Sequence, residues 1–196
     1  MSKVLGILES NAPSSHTLRL TFEQAADRVA HRIEVLDPLG HRLAQLHSKE
    51  GTSADEWPAS PALQSCSLQE IRPGESAAFL IGMAGKSHWS ASVEAIPSQG
   101  ELRFDFACRI NAQPDWLGST YITGFPTNAD SLHYPEMAIF RGSRSEIAAW
   151  IYGLDETVSG TQINGQELKL SCSENLLRFP QTLRWQYRIC LKPNRI

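Results

Sequence analysis

The chain has 196 residues, a formal net charge of -3 and charges of both signs spread along its length rather than blocked. That pattern lacks the basic stripe of a dedicated nucleic-acid binder. No apolar run approaches the ~18 residues of a membrane-crossing helix. A chain of this size buries about 70% of its unfolded surface, so it needs no disulfide or metal to be stable.

The N-terminal segment offers Lys3 and then only Val4 to Leu8 before Glu9, too short for the apolar core of a signal peptide. A cytoplasmic location is the corresponding expectation. Strand patterns follow one another at residues 4–9, 17–22, 31–36, 43–48, 63–71 and 77–83. Turn chemistry separates them at Asn11-Ala12-Pro13-Ser14, Asp37-Pro38-Leu39-Gly40, Arg72-Pro73-Gly74-Glu75 and Ala84-Gly85-Lys86. Residues 24–30 carry no clear pattern.

The most readable stretch is 88–110. His88 to Glu94 alternates polar and apolar, Leu102 to Ile110 alternates in the opposite phase, and Pro97 and Gly100 lie in the connection. Letting Ile96 face Glu101 puts Trp89 against Cys108, Ala91 against Phe106 and Val93 against Phe104 on an apolar face. The same register puts Glu94 against Arg103 and Ser92 against Asp105 on a polar one. A slip of one residue would send each face to the wrong side.

Residues 116–123 read as another strand, and 124–142, rich in Pro, Asn, Asp and Gly, as a long irregular excursion. Ser143-Arg144-Ser145-Glu146 matches a capping box, and Ile147, Trp150, Ile151 and Leu154 follow at helical spacing. The spacing therefore favours one short helix over 146–154; a strand, in which Ala148, Trp150 and Tyr152 share a face, is the competing reading. The pattern returns to β at 162–172, around Asn164-Gly165, and at 182–191. In the last strand Leu183, Trp185, Tyr187, Ile189 and Leu191 share one face and Arg184, Gln186 and Arg188 the other. Thr17-Leu18-Arg19 and Thr182-Leu183-Arg184 echo each other, but one match is not a repeat. Many short strands and no strand-helix alternation predict an all-β antiparallel sandwich, Ig-like or jelly-roll-like, as a single domain over 1–196. Two β subdomains, 1–112 and 113–196, are the alternative.

Chemistry-bearing motifs are sparse. Four widely spaced cysteines, Cys66, Cys108, Cys172 and Cys190, read as buried thiols rather than bridges or zinc ligands. Gly82-Met83-Ala84-Gly85-Lys86-Ser87 has the residues of a phosphate loop without its spacing: Leu80 stands where the first glycine belongs, and a strand follows. His31, His41 and His47 flank one proposed hairpin, with no fourth ligand placed by spacing. No metal or cofactor is expected. His88, Glu94 and Asp105 on the polar hairpin face suggest a hydrolase-like acid or base, yet the register leaves His88 opposite Arg109, and no nucleophile elbow exists.

Aromatics in turn-rich segments are the better candidates. Trp57 sits between carboxylates and Pro58 and Pro61; Trp116, Tyr121 and Tyr134 occupy or border the irregular stretch, with His133 and Glu136 beside Tyr134. Stacking on an indole or phenol while neighbouring polar groups bond hydroxyls is the demand a sugar makes. The expected function is thus a non-enzymatic binding or interaction module for a carbohydrate or protein partner, with Trp57, Trp116, Tyr121, His133, Tyr134 and Glu136 as ligand-binding residues and with no nucleic-acid or membrane partner. A hydrolase and a structural subunit of a homo-oligomer are the alternatives.

Overall fold

The computed structural model describes residues 2–123, 136–141, 147–154, 157–173 and 178–193. Among the described residues fourteen strands form two seven-stranded antiparallel sheets. Four consecutive strands open the first: β1 (Lys3–Asn11), β2 (Thr17–Ala25), β3 (Arg28–Leu36) and β4 (Arg42–Ser48). The next four open the second: β5 (Ser65–Arg72), β6 (Glu75–Ala84), β7 (Ser87–Ile96) and β8 (Glu101–Ile110). The remaining strands are β9 (Gly118–Thr123), β10 (Glu136–Arg141), β11 (Ile147–Leu154), β12 (Val158–Asn164), β13 (Glu167–Cys172) and β14 (Gln181–Pro193). They extend both sheets, giving the orders β1-β2-β3-β4-β9-β13-β12 and β10-β11-β14-β8-β7-β6-β5. Both sheets therefore draw strands from the first and the last part of the chain.

Alternation explains the packing. The inner face of the first sheet presents Leu18, Leu20, Phe22, Ile33, Val35 and Leu46, and that of the second presents Trp89, Phe104, Phe106, Trp185 and Tyr187, all buried. Inward residues of adjacent strands stand opposite one another. The β7-β8 register is the one read from the sequence: Trp89 faces Cys108, Ala91 faces Phe106, Val93 faces Phe104, Ser92 faces Asp105 and Glu94 faces Arg103. Stacked rings bind β8 to β14, with Phe104 on Tyr187 at 4.9 Å and Phe106 on Trp185 at 5.4 Å between centroids. Trp89 meets Trp185 edge-on at 6.1 Å. Fully burying a side chain of this size contributes roughly 1.5–3 kcal/mol, and well-placed ring pairs add about 0.5–1.5 kcal/mol.

The helix expected over 146–154 is corrected by the structure, because β11 is a strand there and pairs along its length with β14, Ile151 opposite Ile189 and Tyr152 opposite Arg188. Ala149 and Ile151 enter the core, while Trp150 and Tyr152 lie on the opposite face, where the Arg188 guanidinium stands 5.0 Å from the Tyr152 ring centre. A strand with β-branched and aromatic residues on both faces gains more from that sheet than a lone helical turn gains from a capping box. The capping-box residues 143–146 lie outside the described residues.

The unpatterned stretch 24–30 is a tight reversal in which Ala25 faces Arg28 and Ala26 takes φ 53. The glycines of 82–87 serve close approach and turning. A Cβ on Gly82 would come within 2.0 Å of the Ala62 carbonyl oxygen, and Gly85, at φ +54, lies in the β6-β7 turn. The four cysteines are thiols rather than disulfides; Cys108, Cys172 and Cys190 are buried and Cys66 is partly so. Burial, with a smaller contribution from Cys172, pushes the Cys108 thiol up to about 12.

Candidate functional site

The second sheet turns the polar sides of its strands outward, and the registers fix a grid. One row across β6, β7, β8 and β14 is Met83, His88, Arg109 and Thr182; the next is Ile81, Ser90, Ala107 and Arg184. The third is Phe79, Ser92, Asp105 and Gln186, and the fourth Ala77, Glu94, Arg103 and Arg188. Rows lie two residues apart, about 6.7 Å, and neighbouring columns about 4.8 Å apart. Ser90 and Ala107 are short side chains between Ile81 on one side and Arg184 on the other, so the centre of the grid is low.

A depression of about 640 Å³ lies there, bordered by Ile81, Met83, His88, Ser90, Ala107 and Arg109. A second, of about 390 Å³, lies further along the same face between Glu94, Arg103, Asp105, Gln186 and Arg188. The four rows together span roughly 20 Å. Along β6 the face carries an apolar stripe, with Phe79 39%, Ile81 63% and Met83 45% exposed. The β6 sequence signals this, because Ala78 and Leu80 on the other face are also apolar. A strand apolar on both sides in an antiparallel sheet has two surfaces fit for burial.

The charges of this face are matched unevenly. Asp105 is clasped by Arg184, whose Nε donates to Oδ1 at 2.6 Å and whose second amino group bonds Oδ2. Glu101, buried at the end of β8, accepts from Arg103 Nε at 2.6 Å and from Arg188 at 3.4 Å. Arg109 and His88 face each other in the larger depression. Neither has a carboxylate within ion-pair distance among the described residues. His88 stands four residues along β7 from Ser92, the partner of Asp105, so about 13 Å separates these rows. Glu94 and Asp105 border the smaller depression and His88 the larger. The hydrolase expectation thus finds its acid and base in different places, with the aspartate already engaged.

The aromatics singled out by sequence are placed elsewhere. Tyr121 is on β9 and 1% exposed, inside the sandwich. Its hydroxyl bonds His31 Nε2 at 2.9 Å and the Tyr187 hydroxyl at 2.5 Å. Trp116 donates its indole N–H to the Ala59 carbonyl at 3.0 Å and lies 5.7 Å from Lys169 Nζ, which pins the loop of residues 49–64. Trp57, in that loop, packs partly buried against the core. The structure brings Trp57 and Trp116 to the same loop, with Trp116 held to it through Ala59. His133 and Tyr134 lie outside the described residues, and Glu136 opens β10 opposite Tyr152.

The three histidines of the first sheet do not converge. His31 faces inward, His47 lies on the outer side opposite Arg32, and His41 bonds Asp37 at 3.0 Å. Burial, helped slightly by His47, brings the His31 imidazole down to about 4, so it is neutral at pH 7. Near it, Ser48 accepts the His31 backbone N–H at 2.8 Å and donates to Glu50. Burial raises the Glu50 carboxyl to about 7, against opposing influences from Ser48 and Arg28. No group of three or more His, Cys, Asp or Glu side chains among the described residues is placed to hold a metal. No protein-family model and no curated protein matches this chain.

Proposed function

We propose that the chain is a non-enzymatic binding module and that its ligand, a carbohydrate, lies along the outer face of the second sheet. The observation that carries this reading is the pair of depressions on one sheet face, the larger floored by Ser90 and Ala107 and edged by apolar and hydrogen-bonding side chains, the smaller bordered by Ser92, Glu94, Asp105 and Gln186. Depressions of 300–1,000 Å³ with apolar walls and a few polar groups are the usual form of small-ligand sites. Sugars demand that mixture, because their C–H faces seek apolar surface and their hydroxyls seek donors and acceptors. Strands β7, β8 and β14 are held by core packing on their inner face, so the backbone that carries the outer side chains has little freedom to lose on binding.

A glycan array carrying neutral and acidic oligosaccharides tests this reading. Wild-type protein is expected to retain a subset of glycans, and Ser90→Trp, which fills the trough, is expected to lose them while changing stability by less than about 0.5 kcal/mol. An empty array, or undiminished binding by Ser90→Trp, would remove the reading.

The exposed Phe79, Ile81 and Met83 stripe favours one second reading, a protein partner docked on the same face. In that case a protein captured from native lysate is released by Ile81→Lys, and the glycan array stays empty.

A further inference from the structure

We infer that the larger depression receives an acidic sugar, a saccharide ring bearing a carboxylate, with the carboxylate seated on Arg109. This rests on the outer face of the second sheet being the carbohydrate-binding face and adds the chemical class of the ligand.

The charge pattern of the face carries the inference. Arg103, Arg184 and Arg188 are all engaged by carboxylates of the protein itself. Arg109 is the exception: it is exposed, borders the depression and faces His88 across the β7-β8 pair. The nearest acid on its own strand side is Asp105, four residues and about 13 Å away and already held by Arg184. Ile81 and Met83 line the same depression two strands across from Arg109, so one ring can meet the apolar side chains and the guanidinium together.

The surroundings choose between anions. A guanidinium presents a planar fork that matches one carboxylate with two parallel hydrogen bonds. Phosphate sites typically add backbone N–H groups from a helix N-terminus or a loop nest. Here Arg109 lies inside continuous ladders to β7 and β14, opposite His88 and Thr182, so the neighbouring amides are committed to strand pairing. The rest of the depression fits a ring with hydroxyls. Ile81 and Met83 offer apolar surface, Ser90 and Thr182 offer hydroxyls, and Gln64 is fixed by accepting the Met83 backbone N–H at 3.1 Å, which leaves its amide NH2 as a donor.

Isothermal titration with trigalacturonate and with its methyl ester, the same chain without charge, tests the inference. Wild-type protein is expected to bind the acid at least tenfold more tightly than the ester. Arg109→Gln is expected to lose at least tenfold in affinity for the acid and to bind the ester unchanged. Arg72→Gln, which removes the same charge at the exposed end of β5, is expected to behave as wild type. Equal affinity for acid and ester with Arg109→Gln indifferent would overturn the carboxylate assignment while leaving the carbohydrate face standing. Displacement of trigalacturonate by an equal concentration of inorganic phosphate would overturn it in favour of a phosphate. Absence of binding by either probe, together with an empty glycan array, would remove both the assignment and the face.

Discussion

Arg28→Ala is expected to lower the stability of the chain by about 3–5 kcal/mol, measured as the shift in urea midpoint at constant m. Arg28 stands at the tight β2-β3 reversal with its side chain 2% exposed. One amino group donates to the Met83 carbonyl at 2.9 Å, and the other donates to the Thr52 carbonyl at 3.1 Å. A single guanidinium therefore ties the end of a first-sheet hairpin to the end of β6 in the second sheet and to the loop of residues 49–64. Hydrogen bonds from a charged donor contribute about 1.5–3 kcal/mol each, and deleting so large a buried side chain leaves a void as well. Arg28→Lys keeps the charge but reaches one carbonyl instead of two, so it should lose roughly half as much. A loss below about 1 kcal/mol for Arg28→Ala would mean that sheet pairing alone fixes this end of the sandwich.

Glu50→Gln is expected to stabilise the chain by about 2–3 kcal/mol at pH 8 and to leave it unchanged at pH 4. The folded carboxyl titrates at about 7 against an ordinary 4.5, so the folded state holds the proton more firmly than the unfolded one. Below about pH 4.5 both states are protonated and the residue costs nothing. As the pH rises through 7 the folded state is made to carry a desolvated charge, and the cost becomes complete. Its magnitude is moderated by the solvent that reaches a partly buried group.

His31 acts in the opposite sense. Its folded value of about 4 lies below 6.5, so its cost is absent above pH 6.5 and grows as the pH falls towards 4. Between pH 4.5 and 6.5 the two slopes oppose each other, and wild-type stability should be nearly flat there. Glu50→Gln uncovers the His31 slope, with stability falling from pH 6.5 to 4.5 in urea melts. A variant whose profile keeps the wild-type shape would contradict the burial of either group.

The sequence is most informative where one rule governs many residues at once. Period-two alternation from Trp89 to Val93 and from Phe104 to Cys108 excludes a slip of one residue, the Pro97 to Gly100 connection places Ile96 opposite Glu101, and the resulting register is the observed one. Alternation in 182–191 likewise identifies the inward Trp185 and Tyr187. Legibility fails where distant partners decide. Residues 147–154 satisfy a helical spacing locally, but their pairing with β14 is formed with residues about forty positions later. The reversal at Ala26 uses a positive φ without glycine or asparagine, so it leaves no composition signal.

The candidate face was only half legible for the same reason. His88, Ser90, Arg103, Asp105 and Arg109 are readable as one side of a hairpin. The trough, however, needs β6 on one flank and β14 on the other, and β8 meets β14 across some seventy residues of chain. The aromatic candidates show the converse limit. Tyr121 borders the irregular stretch in sequence, yet it lies on a strand whose odd positions point inward, where His31 and Tyr187 use its hydroxyl. Trp116 is a loop anchor through its indole N–H, a role that depends on the carbonyl of Ala59 crossing close by. Side-chain type identifies residues able to meet a ligand; sheet order decides which of them share a face.

The most direct test of the outer-face assignment is a backbone amide and methyl chemical-shift map of the labelled protein titrated with trigalacturonate. Shifts concentrated at Ile81, Met83, Ser90, Ala107 and Arg109 are the predicted result, with Trp57, Trp116 and Tyr121 unmoved. Shifts concentrated instead in the loop of residues 49–64 and at Trp116, with Ser90 and Ala107 silent, would contradict it.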